Sequence, residues 1–308
     1  MLTLDTYSDQ VTSYVSQDGA LPDTTDMAPS FKKTVTPLPA ATYVLVEIPA
    51  PHVLLVTMNL AAQMNALPMK AVWEMDRIWR WFDNEPELRV GIITGAGTKA
   101  FSAGMDLKER QKLGETTDYP TNARLNYPST GFAGLSRRVG RKPIIAACNG
   151  HAHGGGFEVV LNSDIVLASP NADFRLPDVL RGTAALAGAF PRLCRTFGLQ
   201  RANLIALTAY TLSAEEAQQW GLVQRIVPLG DLVLEAVRMA GLIASMSPDS
   251  VIVSRAGIRE AWKTASVERA TQITGDAYAD RLMGGENVKE GLLAFGEKRE
   301  PRWVPSKL

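Results

Sequence analysis

NGHAHGGGFEVVLNSDIVLAS, residues 149–169, is the stretch whose reading decides the fold. Gly154, Gly155 and Gly156 open an apolar run that reads as a helix. Lacking Cβ atoms, they let backbone N–H groups at a helix N-terminus approach a ligand closely. Twenty residues beyond Glu158, in FRLPDVLRG (174–182), stands a second carboxylate, Asp178. A carbonyl oxygen docked on such amides, with an acid/base pair beside it, is what thioester enolate chemistry requires. Three glycines also precede helices that merely pack closely on a strand, so the motif alone does not decide between the two readings.

FSAGMDLKE (101–109) adds a second donor. It follows the apolar strand VGIITGAG (90–97) and offers the backbone N–H of Met105 at a strand end, where α/β proteins tend to bind ligands. Met105 and Gly155 together make a two-pronged oxyanion hole possible. Around them, 43–59 reads as two short strands, 68–83 as a helix and 90–95 as a strand. Val72, Met75, Ile78, Trp79 and Phe82 fall at helical spacing and are expected in the core. Beyond residue 196 the pattern is helical, over 230–246, 249–264 and 266–283, with a serine cap and a glutamate three residues on in SAEEAQQWG.

These motifs resemble the crotonase family, the enoyl-CoA hydratases and isomerases. The resemblance spans residues 44–304 and rests on six landmarks in order: MNLAAQMNAL, AFSAGMDLKE, KPIIAACNGHAHGGGFEVVLNSDIVLAS, FRLPDVLRG, LTAYTLSAEEAQQWGLVQRIV and LLAFGEKREPRW. It implies an α/β fold, a spiral of ββα units followed by a C-terminal helical trimerisation region. The corresponding divisions are an extension over 1–40, a core over 41–228, helices over 229–305 and a signal at 306–308. It also implies that the amides of Met105 and Gly155 hold the thioester oxygen. Glu158 would act on water at Cβ, and Asp178 on the proton at Cα.

By the same resemblance there is no permanent cofactor, and coenzyme A enters as part of the substrate. Ala103, Asp106, Leu107 and Lys108 are its candidate contacts, with Arg110 nearby and with Phe295 and Lys298 contributed within a homotrimer or hexamer. The expected activity is hydration or isomerisation of an enoyl-CoA, or dehydration of a 3-hydroxyacyl-CoA. Fungal peroxisomal relatives suggest specialised acyl chains of siderophores or polyketide toxins. A thioester hydrolase and an inert acyl-CoA-binding subunit are the alternatives.

Two departures from the family pattern stand out. Asp178 occupies a position where the family usually carries glutamate, which withdraws the carboxylate by roughly 1.5 Å, about one C–C bond. A misplacement of about 1 Å can cost ~10²-fold in rate. RGTAALAGAFPRL (181–193) carries Ala185, Leu186 and Ala189 in place of glycines and a proline, which predicts a bulkier lining of the acyl pocket.

His151 and His153 form an H-x-H pair with no CxxC and only one other histidine in the chain, so a structural or tuning role is expected and no metal. Cys148 and Cys194 read as buried thiols. With 32 basic and 32 acidic residues the chain is not expected to bind nucleic acid, and no apolar run is long enough to span a membrane. The first forty residues are polar, contain no Arg and are expected to be mobile. The tripeptide Ser306–Lys307–Leu308 matches the signal read by the peroxisomal import receptor, which predicts a peroxisomal location.

Overall fold

The computed structural model describes residues 34–114 and 127–308. Most of the expected N-terminal extension, residues 1–33, lies outside them. Ten strands and ten α-helices follow in order among the described residues: β1 (Val44–Ala50), β2 (Val53–Met58), α1 (Met69–Asn84), β3 (Val90–Gly95), β4 (Ala100–Ser102), α2 (Leu107–Gly114), β5 (Ile144–Cys148), β6 (His151–His153), α3 (Gly155–Asn162), β7 (Ile165–Ala168), β8 (Asp173–Arg175), α4 (Ala189–Phe197), α5 (Leu199–Thr208), β9 (Leu212–Ser213), α6 (Ala214–Gln219), β10 (Arg225–Ile226), α7 (Leu232–Ala244), α8 (Pro248–Thr264), α9 (Val267–Met283) and α10 (Glu286–Glu297).

Two sheets share this chain. One has the order β1-β2-β3-β5-β7-β10, the other β4-β6-β8-β9. Three times over, a strand of the first sheet leads directly into a short strand of the second: β3 to β4, β5 to β6, β7 to β8. The first two of these pairs run on into a helix, α2 and α3, and this is the expected ββα repeat. Pairing is parallel throughout both sheets except for β1 with β2 and β8 with β9.

The centre of the large sheet is buried on both faces, which is why β3 and β5 are apolar or small at every position. Alternate residues serve different cores. Val53, Leu55, Val90, Ile92, Ile145 and Leu167 join α7 through Leu232, Ala236 and Ala240. Leu54, Val56, Ile93, Ile144 and Val166 face α1 and α3 through Met75, Trp79, Phe157 and Val160. The helical residues expected in the core, Val72, Met75, Ile78, Trp79 and Phe82, are all buried. By contrast Cys194, expected to be buried, is exposed, while Cys148 is buried and its thiol pKa is raised by desolvation.

The ends of these elements are fixed by carboxylates. Glu74 of α1 accepts the amides of Thr42 and Tyr43 at 2.9 and 2.8 Å, which sets the entry to β1. Glu85 accepts the amides of Val35 and Thr36 at 2.8 Å each, so this part of the expected extension is held against the body. Glu109 of α2 caps the first amide of α1 at 2.7 Å, favoured by the positive end of the helix dipole.

α7 packs on the large sheet, although its sequence places it with the C-terminal helices. α8 and α9 pack on each other, and with α10 they leave Ile258, Val267, Met283, Leu292 and Phe295 exposed. Among the described residues no single helix is long and apolar enough to cross a membrane.

Asp164, just before β7, ties α8 to this core. Its carboxylate meets Arg255 at 2.9 Å and Arg259 at 2.8 Å, and accepts the amide of Ile144 at 2.8 Å. Burial would raise the Asp164 pKa, but the two guanidinium groups win and hold it below the usual carboxylate value. Removing one partner of a buried ion pair costs about 3–5 kcal/mol because the other charges stay desolvated. Asp164→Ala is therefore expected to lose about that much unfolding free energy in a urea titration, with little loss if both arginines are replaced as well.

Candidate functional site

The second sheet positions the site. β4, β6 and β8 lie side by side in parallel, so their C-terminal ends come out together, about 4.8 Å from one strand to the next. Each is followed by a segment singled out in the sequence. After β4 come Gly104 and Met105, after β6 Gly154 and Gly155, and after β8 Pro177 and Asp178.

Met105 pairs with Leu67 in a parallel bridge. The bridge uses the carbonyl of Gly104, which accepts Leu67 N at 2.8 Å, and the amide of Asp106, which donates to Leu67 O at 3.0 Å. In such a bridge the central residue's own N–H points to the opposite side. The Met105 amide is thus turned away from Leu67. Its side chain is steadied by the Tyr127 hydroxyl, 3.6 Å from Sδ.

Gly155 opens α3, and an N–H in the first turn of a helix has no intrahelical acceptor. The two donor segments meet at Gly104. A Cβ there would stand 2.9 Å from His153 O and 3.0 Å from Gly155 N, and its φ of +88° already favours glycine. Gly155 is equally constrained, since a Cβ would strike the Phe132 ring at 2.6 Å. Gly156 is glycine for packing, with Ser102 O 2.4 Å from where a Cβ would lie. The packing reading of the triplet thus accounts for Gly156 and for Gly155 against Phe132, and the first-turn amide of Gly155 leaves the ligand reading open.

Glu158 sits one turn into α3 and is only 4% exposed. One oxygen accepts Ala189 N at 3.2 Å. Burial lifts its pKa to about 7, and the charge of Asp178 adds to the rise, while the amides of Ala189 and Ala187 and the Arg192 guanidinium oppose it. Asp178 is half-buried at the start of a 3-10 turn, Pro177–Arg181, which ends on left-handed Gly182. Its Oδ2 lies 3.9 Å from where a Gly154 Cβ would stand. The shorter side chain nevertheless reaches the edge of the glycine segment.

The loop after Gly182, expected to line the acyl pocket, holds Glu158 through its backbone. Leu186 is 77% exposed, Ala185 is buried in the core, and Ala187 and Ala189 act through their backbones. Three residues that the sequence reading missed fix this loop. Ser136 Oγ donates to Ala187 O at 2.8 Å, Arg192 donates to Gly188 O at 2.8 Å, and Arg192 Nε reaches Asn162 Oδ1 at 3.1 Å. All are long-range side-chain contacts or a helix-end contact with no local motif to reveal them.

Of the candidate coenzyme A contacts, Ala103 and Asp106 have their amides engaged by Met64 O and Leu67 O. Asp106 also caps α2, accepting Lys108 N at 2.9 Å. Leu107 and Lys108 are exposed beside the Met105 donor. The side chain of Arg110 lies outside what is described. Phe295 is 81% exposed on α10 and Lys298 caps that helix with φ 53°, both exposed and away from these segments along the chain.

His151 and His153 are joined by a third group not foreseen from sequence, Asp173, at 2.8 and 2.5 Å. The expectation of no metal rested on the lack of a CxxC and of further histidines, and Asp173 on β8 stands beside the pair as a carboxylate.

With the geometry in hand, known proteins offer a comparison. The family described as enoyl-CoA hydratase/isomerase matches residues 50–305. A mevalonyl-coenzyme A hydratase of Aspergillus fumigatus is 49% identical over 267 residues, covering 86% of this chain and 96% of that protein. One from Beauveria bassiana is 45% identical, covering 85% and 95%. The crystal structure of an enoyl-CoA hydratase from Bacillus anthracis superposes with a TM-score of 0.78 at 32% identity, covering 86% of this chain and all of that one.

Gly104→Ala would push the Met105 and Gly155 segments apart by the overlap given above. Its kcat on an enoyl-CoA is expected to fall by ~10²-fold, the typical result of displacing reacting groups by about 1 Å.

Proposed function

The chain belongs to the enoyl-CoA hydratase/isomerase family, and we propose that it interconverts a 3-hydroxyacyl-CoA and its 2-enoyl-CoA, with mevalonyl-CoA as the hydroxyacyl substrate. The observation that carries this reading is Glu158, a buried carboxyl held near pH 7 in the field of Asp178, beside two converging backbone donors. The substrate is taken from the two fungal hydratases, which match nearly their whole length.

In the dehydration direction the thioester oxygen accepts hydrogen bonds from Met105 N and Gly155 N. Asp178 removes the proton from Cα, and the electron pair moves onto the thioester as an enolate held by those amides. Protonated Glu158 gives its proton to the β-hydroxyl, the Cβ–O bond breaks and water leaves. Hydration reverses each step, with ionised Glu158 taking a proton from water and protonated Asp178 returning one to Cα. Each oxyanion donor contributes on the order of 3 kcal/mol to the transition state. A raised pKa on one member of a carboxyl pair divides the acid from the base at neutral pH.

Coenzyme A enters as part of the substrate, with Ala103, Asp106, Leu107 and Lys108 along its path. A homotrimer or hexamer built on the exposed apolar faces of α8 to α10 would let Phe295 and Lys298 reach a neighbour's nucleotide end. Sedimentation equilibrium checks the assembly, and a monomer would remove that contribution. Peroxisomal import through Ser306–Lys307–Leu308 is proposed with it. Lys307 pairs with Glu286 at 2.6 Å and the Leu308 main-chain oxygen accepts from Arg141, contacts that the import receptor would have to displace.

Mevalonyl-CoA incubated with the purified protein is expected to yield a product lighter by one water, read by mass spectrometry. Free thiol would favour a hydrolase, and binding without turnover an inert subunit. Because the folded pKa of Glu158 is raised, its acid form persists up to about pH 7 and is lost above. Both directions need the carboxyl pair to carry one proton in total, so kcat/KM for dehydration and for hydration should fall together as pH rises through about 7. Glu158→Gln should cost ~10²–10⁴-fold in either direction, as expected for a lost general acid or base. A fluorescent fusion ending in the native tripeptide should be punctate in cells with peroxisomes and diffuse without Leu308.

A further inference from the structure

Outside the acyl-CoA site, three potential metal ligands converge on the second sheet. His151 and His153 lie two residues apart on β6, so period-two alternation puts both side chains on one face. β6 pairs in parallel with β8 with Ala152 opposite Phe174, which brings Asp173 alongside His151 on that same face. His151 Nδ1 is 2.8 Å from Asp173 Oδ2, His153 Nε2 is 2.5 Å from Oδ1, and the two rings are 5.1 Å apart. One donor atom from each residue lies within 4.8 Å of the others.

We propose that His151, His153 and Asp173 form a binding site for a single divalent transition-metal ion of the zinc class, which fastens β6 to β8. Two imidazoles and one carboxylate suit zinc, cobalt or nickel and are a poor set for magnesium or calcium, which prefer oxygen ligands throughout. A tetrahedral ion with bonds of about 2.0–2.1 Å needs donor atoms about 3.3 Å apart. The present contacts are shorter than that, so small side-chain rotations open the space. All three residues are half-buried, which leaves room for a water as fourth ligand.

Without metal, each imidazole places a proton between itself and Asp173. The ion replaces those two protons, and each neutral ring carries its hydrogen on the other nitrogen instead, Nε2 of His151 and Nδ1 of His153. Arg175, the next residue on this face, is drawn aside by its hydrogen bond to Ala209 O at 2.8 Å.

The location gives the ion a task. β6 runs directly into Gly154 and Gly155, and β8 into Pro177 and Asp178, with Gly154 N donating to Arg175 O at 2.9 Å. An ion bridging the two strands would hold one oxyanion donor and the carboxyl at Cα in fixed relation, without itself touching substrate. Such bridging is a positioning role.

Untagged, chelator-treated full-length protein titrated with zinc chloride, with no substrate present, tests this directly. Calorimetry is expected to show saturable uptake of one ion per chain, and the melting temperature should rise by several degrees at saturating metal. His153→Asn and Asp173→Asn should each weaken binding at least about tenfold, since each removes one of three protein ligands. Absence of saturable uptake by the wild-type chain would overturn the proposal, and that result needs no variant to fold. Uptake unchanged in His151→Gln, His153→Asn and Asp173→Asn would also overturn it, placing the ion elsewhere, for example at exposed Cys194. Because binding is read without turnover, failure here leaves the hydratase assignment standing, and the reverse also holds.

Discussion

The lateral pairing of β4, β6 and β8 is the constraint on which the rest of the site depends. Each strand has only three residues and contributes little burial of its own. What they have is register, enforced by the longer strands that precede them in a sheet apolar on both faces. Because β3, β5 and β7 are locked side by side, the short strands that continue from them must also emerge side by side. Three loops distant in sequence are thereby delivered to one place with their backbone amides and carboxyl groups already oriented. Preorganisation of this kind lets hydrogen-bond donors stabilise a developing oxyanion without reorganising during the reaction.

Glu158 illustrates how burial and hydrogen bonding are balanced at that place. Full desolvation alone would leave a carboxyl permanently protonated, and full pairing would leave it permanently ionised. The Ala187–Ala189 backbone and Arg192 pull against burial and against the negative charge of Asp178, and the balance falls near neutral pH. The loop that provides those amides is held by Ser136 and Arg192, and Arg192 in turn leans on Asn162, the last residue of the helix that carries Glu158. Asn162 also binds Arg259 of α8, so the C-terminal helices reach the loop that holds Glu158 through one continuous polar chain.

Much of this was legible in the sequence because it is local. Apolar runs marked β1 to β3, helical spacing marked α1 and its buried face, and the glycine segments marked the two loops that the short strands bring together. The repeat itself was not legible, since AFS, HAH and DFR share no residue pattern and become equivalent only when paired. The same cause hid Asp173, whose meeting with His151 and His153 follows from strand register across twenty residues. α7 was read with the C-terminal helices because its sequence shows a helix but not its partner, and the sheet it covers lies far upstream. In the loop at 183–189 side-chain size drew attention, whereas what the fold shows is backbone amides holding Glu158 while Leu186 points to solvent, a contact with no signature in residue type.

Aspartate at position 178 can now be weighed in physical terms. A carboxylate shortened by one methylene keeps its reach only if the backbone beneath it comes closer. Here Pro177 starts a tight 3-10 turn and Gly182 closes it in a left-handed conformation, so Asp178 is carried on a compact five-residue turn rather than an extended loop. β8 anchors that turn through its pairing with β6, and the carboxylate oxygen ends beside Gly154. A compact turn of this kind is a backbone-level route by which the missing methylene can be offset. A shorter side chain has fewer rotatable bonds to freeze, so less entropy is lost in holding its carboxylate in place. That economy fits the role proposed for Asp178 at Cα, with the strand beneath it setting the angle.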